Sequence, residues 1–129
     1  MNPGATYLTQ MTPLLINRAI TLVAKFHWPI TVMVLTLITL LSLTPLPHLP
    51  DAPGSDKSHH LIAYAALSFP IAVRGGPKWM LLLPFFILWG GAIELLQPYV
   101  NRNGEWLDFA ANSLGVVFGV CVGMLARRL

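Results

Sequence analysis

Long apolar runs, separated by short polar or proline-rich stretches, dominate this chain. Four runs are long enough to form helices, at residues 26–46, 56–73, 79–97 and 106–126. A helix needs about 20 mostly apolar residues to cross a bilayer. The second run is strictly apolar only over residues 61–73, so its polar residues 56–60 must continue the helix to the interface. The pattern predicts four transmembrane helices.

The connections between these runs carry helix-breaking residues. Residues 45–55 contain four prolines, residues 74–78 contain two glycines and a proline, and residues 98–105 contain Asn103-Gly104. Short connections favour antiparallel neighbours. We therefore predict an all-α fold, an integral membrane bundle of four helices in up-down order.

A different pattern precedes the first apolar run. Arg18, Thr21 and Lys25 recur at helical spacing, and Leu15 and Leu22 lie on another side. A basic amphipathic helix next to a span is typical of the membrane interface. We predict an N-terminal interfacial segment at residues 1–27 and a four-helix membrane domain at residues 28–129.

Composition supports a membrane protein. The 129 residues are 55% hydrophobic and 10% charged, whereas soluble domains are about 25% charged. The net charge of +3 does not indicate nucleic-acid binding, because the charges lie between apolar runs rather than on a basic face. We expect membrane lipids as partners.

The basic residues predict an orientation. With four spans, only Lys57 and Arg102 would lie on one side of the membrane. The other six would lie on the opposite side, and these are Arg18, Lys25, Arg74, Lys78, Arg127 and Arg128. Cytoplasmic loops carry the excess of Lys and Arg. Both termini are therefore predicted to be cytoplasmic.

Polar residues gather at the outward ends of three predicted helices. Ionisable groups in spanning helices are costly, so such a cluster is by default a candidate functional site. The second helix carries a stripe along one face, and the third and fourth carry pairs at helical spacing. The predicted binding residues are Asp56, Lys57, His60, Tyr64, Glu94, Gln97, Arg102, Asp108 and Asn112.

Three interpretations of this cluster compete. It is a structural network between helix ends, a binding pocket, or a catalytic site. In a pocket, Lys57 and Arg102 would hold the phosphate or carboxylate of a head group. In an enzyme acting on a lipid-linked substrate, His60 and Glu94 are the candidate acid–base residues.

A metal site is a variant of the catalytic interpretation. Its ligands would come from Asp56, His60, Glu94 and Asp108, but their spacing matches no recognised ligand motif. We therefore predict no metal and no cofactor. Proton-coupled transport is disfavoured, because little polarity other than Ser68 continues inward.

Small residues recur every fourth position in the last helix, at Ala111, Gly115, Gly119 and Gly123. This spacing lets helix backbones approach closely. It favours packing within the bundle over a homodimer face. The homo-oligomer, a structural or assembly subunit, stays as an alternative.

The ordered polar residues resemble the pattern of VanZ-like membrane proteins. The residues that carry the resemblance are Asp56-Lys57, His60, Tyr64, Glu94, Gln97, Arg102, Asp108, Asn112 and Gly115. The resemblance covers about residue 40 to the C-terminus and singles out His60 rather than His59. It implies a bacterial plasma membrane location and a lipid-linked or envelope-derived ligand. The founding member is associated with low-level resistance to the glycopeptide teicoplanin, but the family's molecular activity is not established.

Overall fold

The structure, a computed structural model, describes residues 3–45 and 55–129, with side chains from Thr12 onward. All secondary structure in these residues is helical, which confirms the all-α prediction. The five helices are α1 Pro3–Lys25, α2 His27–Leu43, α3 Asp56–Arg74, α4 Leu82–Leu96 and α5 Trp106–Ala126. Short 3-10 helices at Trp79–Leu81 and Gln97–Val100 flank α4. Most of the predicted proline-rich connection at residues 45–55 lies outside the described residues.

The helix ends follow from local chemistry. Ser55 caps α3, because its side-chain oxygen accepts a hydrogen bond from the Ser58 amide at 3.3 Å, as N-cap residues do. Gly75 ends α3 with φ +63°, a conformation that costs glycine little. Asp108 lies in the first turn of α5, where a carboxylate complements the helix dipole.

In the part of the chain that the structure describes, two helical stretches are long and apolar enough to cross a membrane: Trp79–Val100, which contains α4, and Trp106–Ala126, which is α5. Thr12–Lys25 and His27–Leu43 meet at an angle of 75° and would make a third span if the bent pair crosses as one. The structure thus supports two or three spans by length and composition. Four spans were predicted from the sequence, and the remaining one corresponds to α3, whose first turns carry Asp56, Lys57 and His60.

The centre of the fold is α3, which packs mainly against α5, less against α2 and hardly against α4. Its buried side chains include Tyr64, Leu67 and Ile71, which form a core with Phe86 of α4 and Val116 of α5. The tightest pairing therefore joins two helices that are not neighbours in sequence. Short loops predicted antiparallel neighbours, and they did not indicate that α3 would pack most closely against α5.

The small-residue stripe of α5 forms this pairing. Gly115 and Gly119 lie against the backbone carbonyls of Leu61 and Ala65, and the next glycine of the stripe approaches Phe69. Each step of four residues on α5 matches four residues on α3, so the two helices run parallel. Both begin at the same end of the fold, where α2 and α4 finish.

Many large apolar side chains remain exposed on the outside of the helices. Examples are Leu37 on α2, Leu88 and Leu95 on α4, and Phe118 on α5. An apolar surface of this extent is unusual for a soluble monomer and typical of a surface in contact with lipid or protein. It agrees with a membrane location.

Candidate functional site

The ends of three helices bring the predicted polar residues together. The first turns of α3 and α5 and the last turn of α4 meet at one end of the fold. We call this group the polar cluster. It consists of Asp56, Lys57, His60, Glu94, Gln97, Glu105, Asp108 and Asn112.

A chain of hydrogen bonds crosses all three helices. His60 Nδ1 of α3 lies 2.9 Å from Asn112 Oδ1 of α5. Asn112 Nδ2 in turn donates to Glu94 Oε1 of α4 at 3.2 Å. Asn112 is fully buried, so its amide has to be satisfied within the protein. It joins the other two side chains and fixes their relative positions.

Glu94 accepts further hydrogen bonds at its second carboxylate oxygen. The backbone N–H of Glu105 donates to Oε2 at 3.3 Å. With its amide oriented to satisfy its neighbours, Gln97 Nε2 donates to the same oxygen at 2.8 Å and to Asn103 O at 3.2 Å. Both oxygens of this buried carboxylate are therefore engaged, which offsets the cost of burying the group.

One lysine bridges two carboxylates at the edge of the cluster. The Lys57 ammonium group forms an ion pair with the half-exposed Glu105 and lies 3.3 Å from Asp108 Oδ1. Asp108 is 1% exposed, and this oxygen accepts no hydrogen bond from the described residues. The Asp108 side chain points toward Lys57 and His60.

Glu105 is a cluster residue that the sequence analysis missed. It directly precedes α5 at the N-cap position, and its side chain makes no capping hydrogen bond. Its side chain pairs with Lys57, and its backbone N–H holds Glu94. An acidic residue at a helix start, close in sequence to Asp108, was the available signal.

The second ring nitrogen of His60 faces two carboxylates. His60 Nε2 lies 3.9 Å from Asp56 Oδ1 and 3.9 Å from Asp108 Oδ2. These distances exceed those of a hydrogen bond. One oxygen of each carboxylate and the ring nitrogen therefore surround a common space, with Asp56 on the exposed side.

Two predicted site residues lie outside the polar cluster. Tyr64 is 1% exposed in the core one turn below His60, and its hydroxyl has no hydrogen-bond partner among the described residues. Arg102 donates to the backbone carbonyl of Leu41 at 2.9 Å, close to the end of α2. Arg102 therefore ties the loop to α2 and leaves Lys57 as the cluster's cation.

No family model, curated protein or solved structure matches this chain. The resemblance to VanZ-like proteins stays a prediction from the residues.

An apolar groove begins where the polar cluster ends. It lies between α4 and α5, has a volume of about 390 Å³, and is walled by Leu88, Gly91 and Phe109. Glu94 and Glu105 line the same groove. One continuous surface thus offers apolar walls and a polar, acidic end.

Proposed function

We propose that this chain is a VanZ-like integral membrane protein that binds an amphiphilic ligand. The head group of a lipid or of a cell-envelope precursor would lie at the polar cluster, and its apolar chain would lie in the groove. The observation that carries the proposal is the continuity of the groove with Glu94 and Glu105. A membrane amphiphile has the same division into an apolar and a polar part.

The proposed arrangement has four spans, namely α2, α3, α4 and α5, with α1 at the interface. Arg74 ends α3, and Arg127 lies close to Gly75 at the same end of the fold. All acidic residues of the described chain lie at the opposite end, in the polar cluster. The excess of basic residues belongs on the cytoplasmic side, so the cluster would face outward from a bacterial plasma membrane.

The contacts of Glu94 favour binding over acid–base catalysis. Its two oxygens accept hydrogen bonds from Asn112, Gln97 and the Glu105 amide. A general acid or base needs to reach a substrate proton at hydrogen-bond distance. Both oxygens of Glu94 already accept hydrogen bonds from the protein, so this carboxylate is better placed to orient its neighbours than to exchange a proton with a substrate.

The position of the glycine stripe favours ligand binding over an assembly subunit. Gly115 and Gly119 lie against backbone atoms of α3. This face of α5 is therefore covered within the chain and leaves no room for a second copy.

Native mass spectrometry of the purified protein tests the proposal. Wild type should retain a lipid or envelope precursor that is lost from a Lys57→Ala, Glu94→Gln double variant. Gly91→Leu should also lose it, because the larger side chain fills the groove. Lys78→Ala removes a lysine that precedes α4 at the other end of the molecule, and this control should retain the ligand.

Circular dichroism and size-exclusion chromatography would establish that each variant folds. If Gly91→Leu misfolds, Glu105→Gln tests the acidic end of the groove with a smaller change. Identical adducts in all folded variants, or none in wild type, would refute the binding proposal. The polar cluster would then be a structural network.

A further inference from the structure

The spacing along the sequence predicted no metal, but from the positions of the side chains we propose that Asp56, His60 and Asp108 bind a divalent transition-metal ion at the outer edge of the polar cluster. The inference rests on the geometry of these three side chains. It holds whether or not the neighbouring groove takes a lipid.

The hydrogen-bond chain determines which ring nitrogen of His60 is available. Asn112 Nδ2 donates to Glu94, so Asn112 presents its carbonyl oxygen to His60. That oxygen only accepts hydrogen bonds, so the proton of neutral His60 resides on Nδ1. The lone pair on Nε2 then points into the space between Asp56 and Asp108.

This arrangement is the one that proteins use to prepare a histidine for a metal. A metal-binding histidine donates its other ring N–H to an acceptor that fixes the tautomer and the ring orientation. Here Asn112 is that acceptor, and Glu94 holds Asn112 in turn. Asn112 is fully buried, so the His60 ring is oriented before any metal binds.

The distances suit one ion. One ligand atom from each of the three side chains lies within 4.8 Å of the other two. Bond lengths of about 2.0–2.2 Å to nitrogen and oxygen place neighbouring ligand atoms about 3–4 Å apart. Asp56 is exposed, so its side chain is free to make the small closing movement.

Charge gives a second and independent argument. Asp108 is almost completely buried, and its Oδ1 pairs with the Lys57 ammonium group at 3.3 Å, whereas its Oδ2 faces the proposed metal site. His60 Nε2 lies 3.9 Å from Asp108 Oδ2. The polar cluster holds four carboxylates, from Asp56, Glu94, Glu105 and Asp108, and its one ammonium group, on Lys57, pairs only with Glu105 and Asp108 among the described residues. A buried charge needs compensation, and a divalent cation beside Asp108 Oδ2 would supply it.

The ligand types indicate which ion binds. Imidazole is a ligand for zinc and other transition metals, whereas magnesium and calcium prefer sites made of oxygen atoms. Two carboxylates and one imidazole therefore favour Zn²⁺ or Mn²⁺. Three protein ligands leave at least one coordination position for water or for an anionic group of a ligand.

Isothermal titration of tag-free, chelator-treated protein in detergent with ZnCl₂ tests the site. Wild type should bind one equivalent. His60→Gln and Asp108→Asn should abolish stoichiometric binding, and Asn112→Ala should weaken it by about 10- to 100-fold through loss of the orienting hydrogen bond. Magnesium at the same concentration should not compete.

One control matches the chemistry of the histidine ligand. His59→Gln removes the neighbouring histidine of α3 and should keep one equivalent. Cobalt substitution adds a readout of the ligands. The visible spectrum of the cobalt-substituted protein should differ from that of wild type in His60→Gln but not in His59→Gln.

Two results would overturn the proposal: wild type that binds no stoichiometric zinc, or folded His60→Gln that binds as tightly as wild type. The groove variant Gly91→Leu separates this proposal from ligand binding. It should lose the lipid adduct while it retains the metal.

Discussion

The contact between α3 and α5 makes a quantitative prediction at Gly119. A Cβ atom added there would lie 2.2 Å from the Ala65 carbonyl oxygen and 2.3 Å from Ser68 Oγ. Even close contacts between carbon and oxygen need about 3.3 Å, so α5 has to move away from α3 by about 1 Å. Ser68 cannot simply rotate away, because its hydroxyl donates to Val116 O at 2.9 Å within the core.

The size of the effect follows from two opposing contributions. Alanine stabilises a helix interior by about 1 kcal/mol relative to glycine. Overpacking a core costs about 1–3 kcal/mol, and the upper end applies to Gly119 because a backbone carbonyl is the obstacle. We expect Gly119→Ala to lower the free energy of unfolding by about 1–2 kcal/mol.

Thermal unfolding in detergent, followed by circular dichroism, measures this loss. Gly91→Ala in α4 is the matched control. Its Cβ would meet only the edge of the Phe109 ring, at 3.2 Å, and that side chain can adjust. We expect the control to be as stable as wild type or slightly more stable.

A Gly119→Ala protein as stable as wild type would refute the close packing of α3 and α5. If the substitution instead abolished a dimer and left the monomer's stability unchanged, the stripe would be an intermolecular face. Size-exclusion chromatography with light scattering distinguishes that outcome.

Three smaller predictions follow from other buried contacts. Tyr64→Phe should leave thermal stability unchanged or raise it, because an unpaired buried hydroxyl costs about 1–3 kcal/mol; a lower melting temperature would indicate a partner for that hydroxyl. Trp89 Nε1 donates to Thr39 Oγ1 at 3.0 Å. A double-mutant cycle with Thr39→Val and Trp89→Phe should therefore give a coupling energy of about 0.6 kcal/mol, and a coupling energy of zero would contradict this hydrogen bond. Arg102→Ala should increase hydrogen exchange near Leu41 without affecting zinc affinity; reduced zinc affinity would place Arg102 in the site.

The sequence predicted the helices because their ends carry local signals. The run predicted at residues 106–126 has the bounds of α5, which begins at Trp106 and ends before two arginines. The run at residues 26–46 was predicted too long by several residues, since α2 ends at Leu43, two residues before Pro45. Prolines and glycines act within a few residues of their position, so this part of the fold was readable.

The pairing of helices was not readable in the same way. Helical spacing placed His60, Glu94 and Asn112 at the ends of their helices, and the structure brings these three together. Arg102 was predicted to be a binding residue of this site, but its long side chain contacts the α2 carbonyl of Leu41 instead. The spacing also missed Glu105. Contacts between helices depend on the direction of the side chains and on how closely the backbones approach. The spacing of residues along the sequence does not encode either.

The central position of α3 explains why this helix is less apolar than α4 and α5. A helix that faces lipid has to be apolar around most of its surface, and α5 and the stretch that contains α4 are long and apolar enough to cross a membrane. A helix covered by its neighbours on several sides can carry polar groups wherever those neighbours satisfy them. Asn112 and Asp108 of α5 do so for His60 and Lys57 of α3. In the four-span arrangement proposed above, these contacts would accommodate the polar residues of α3.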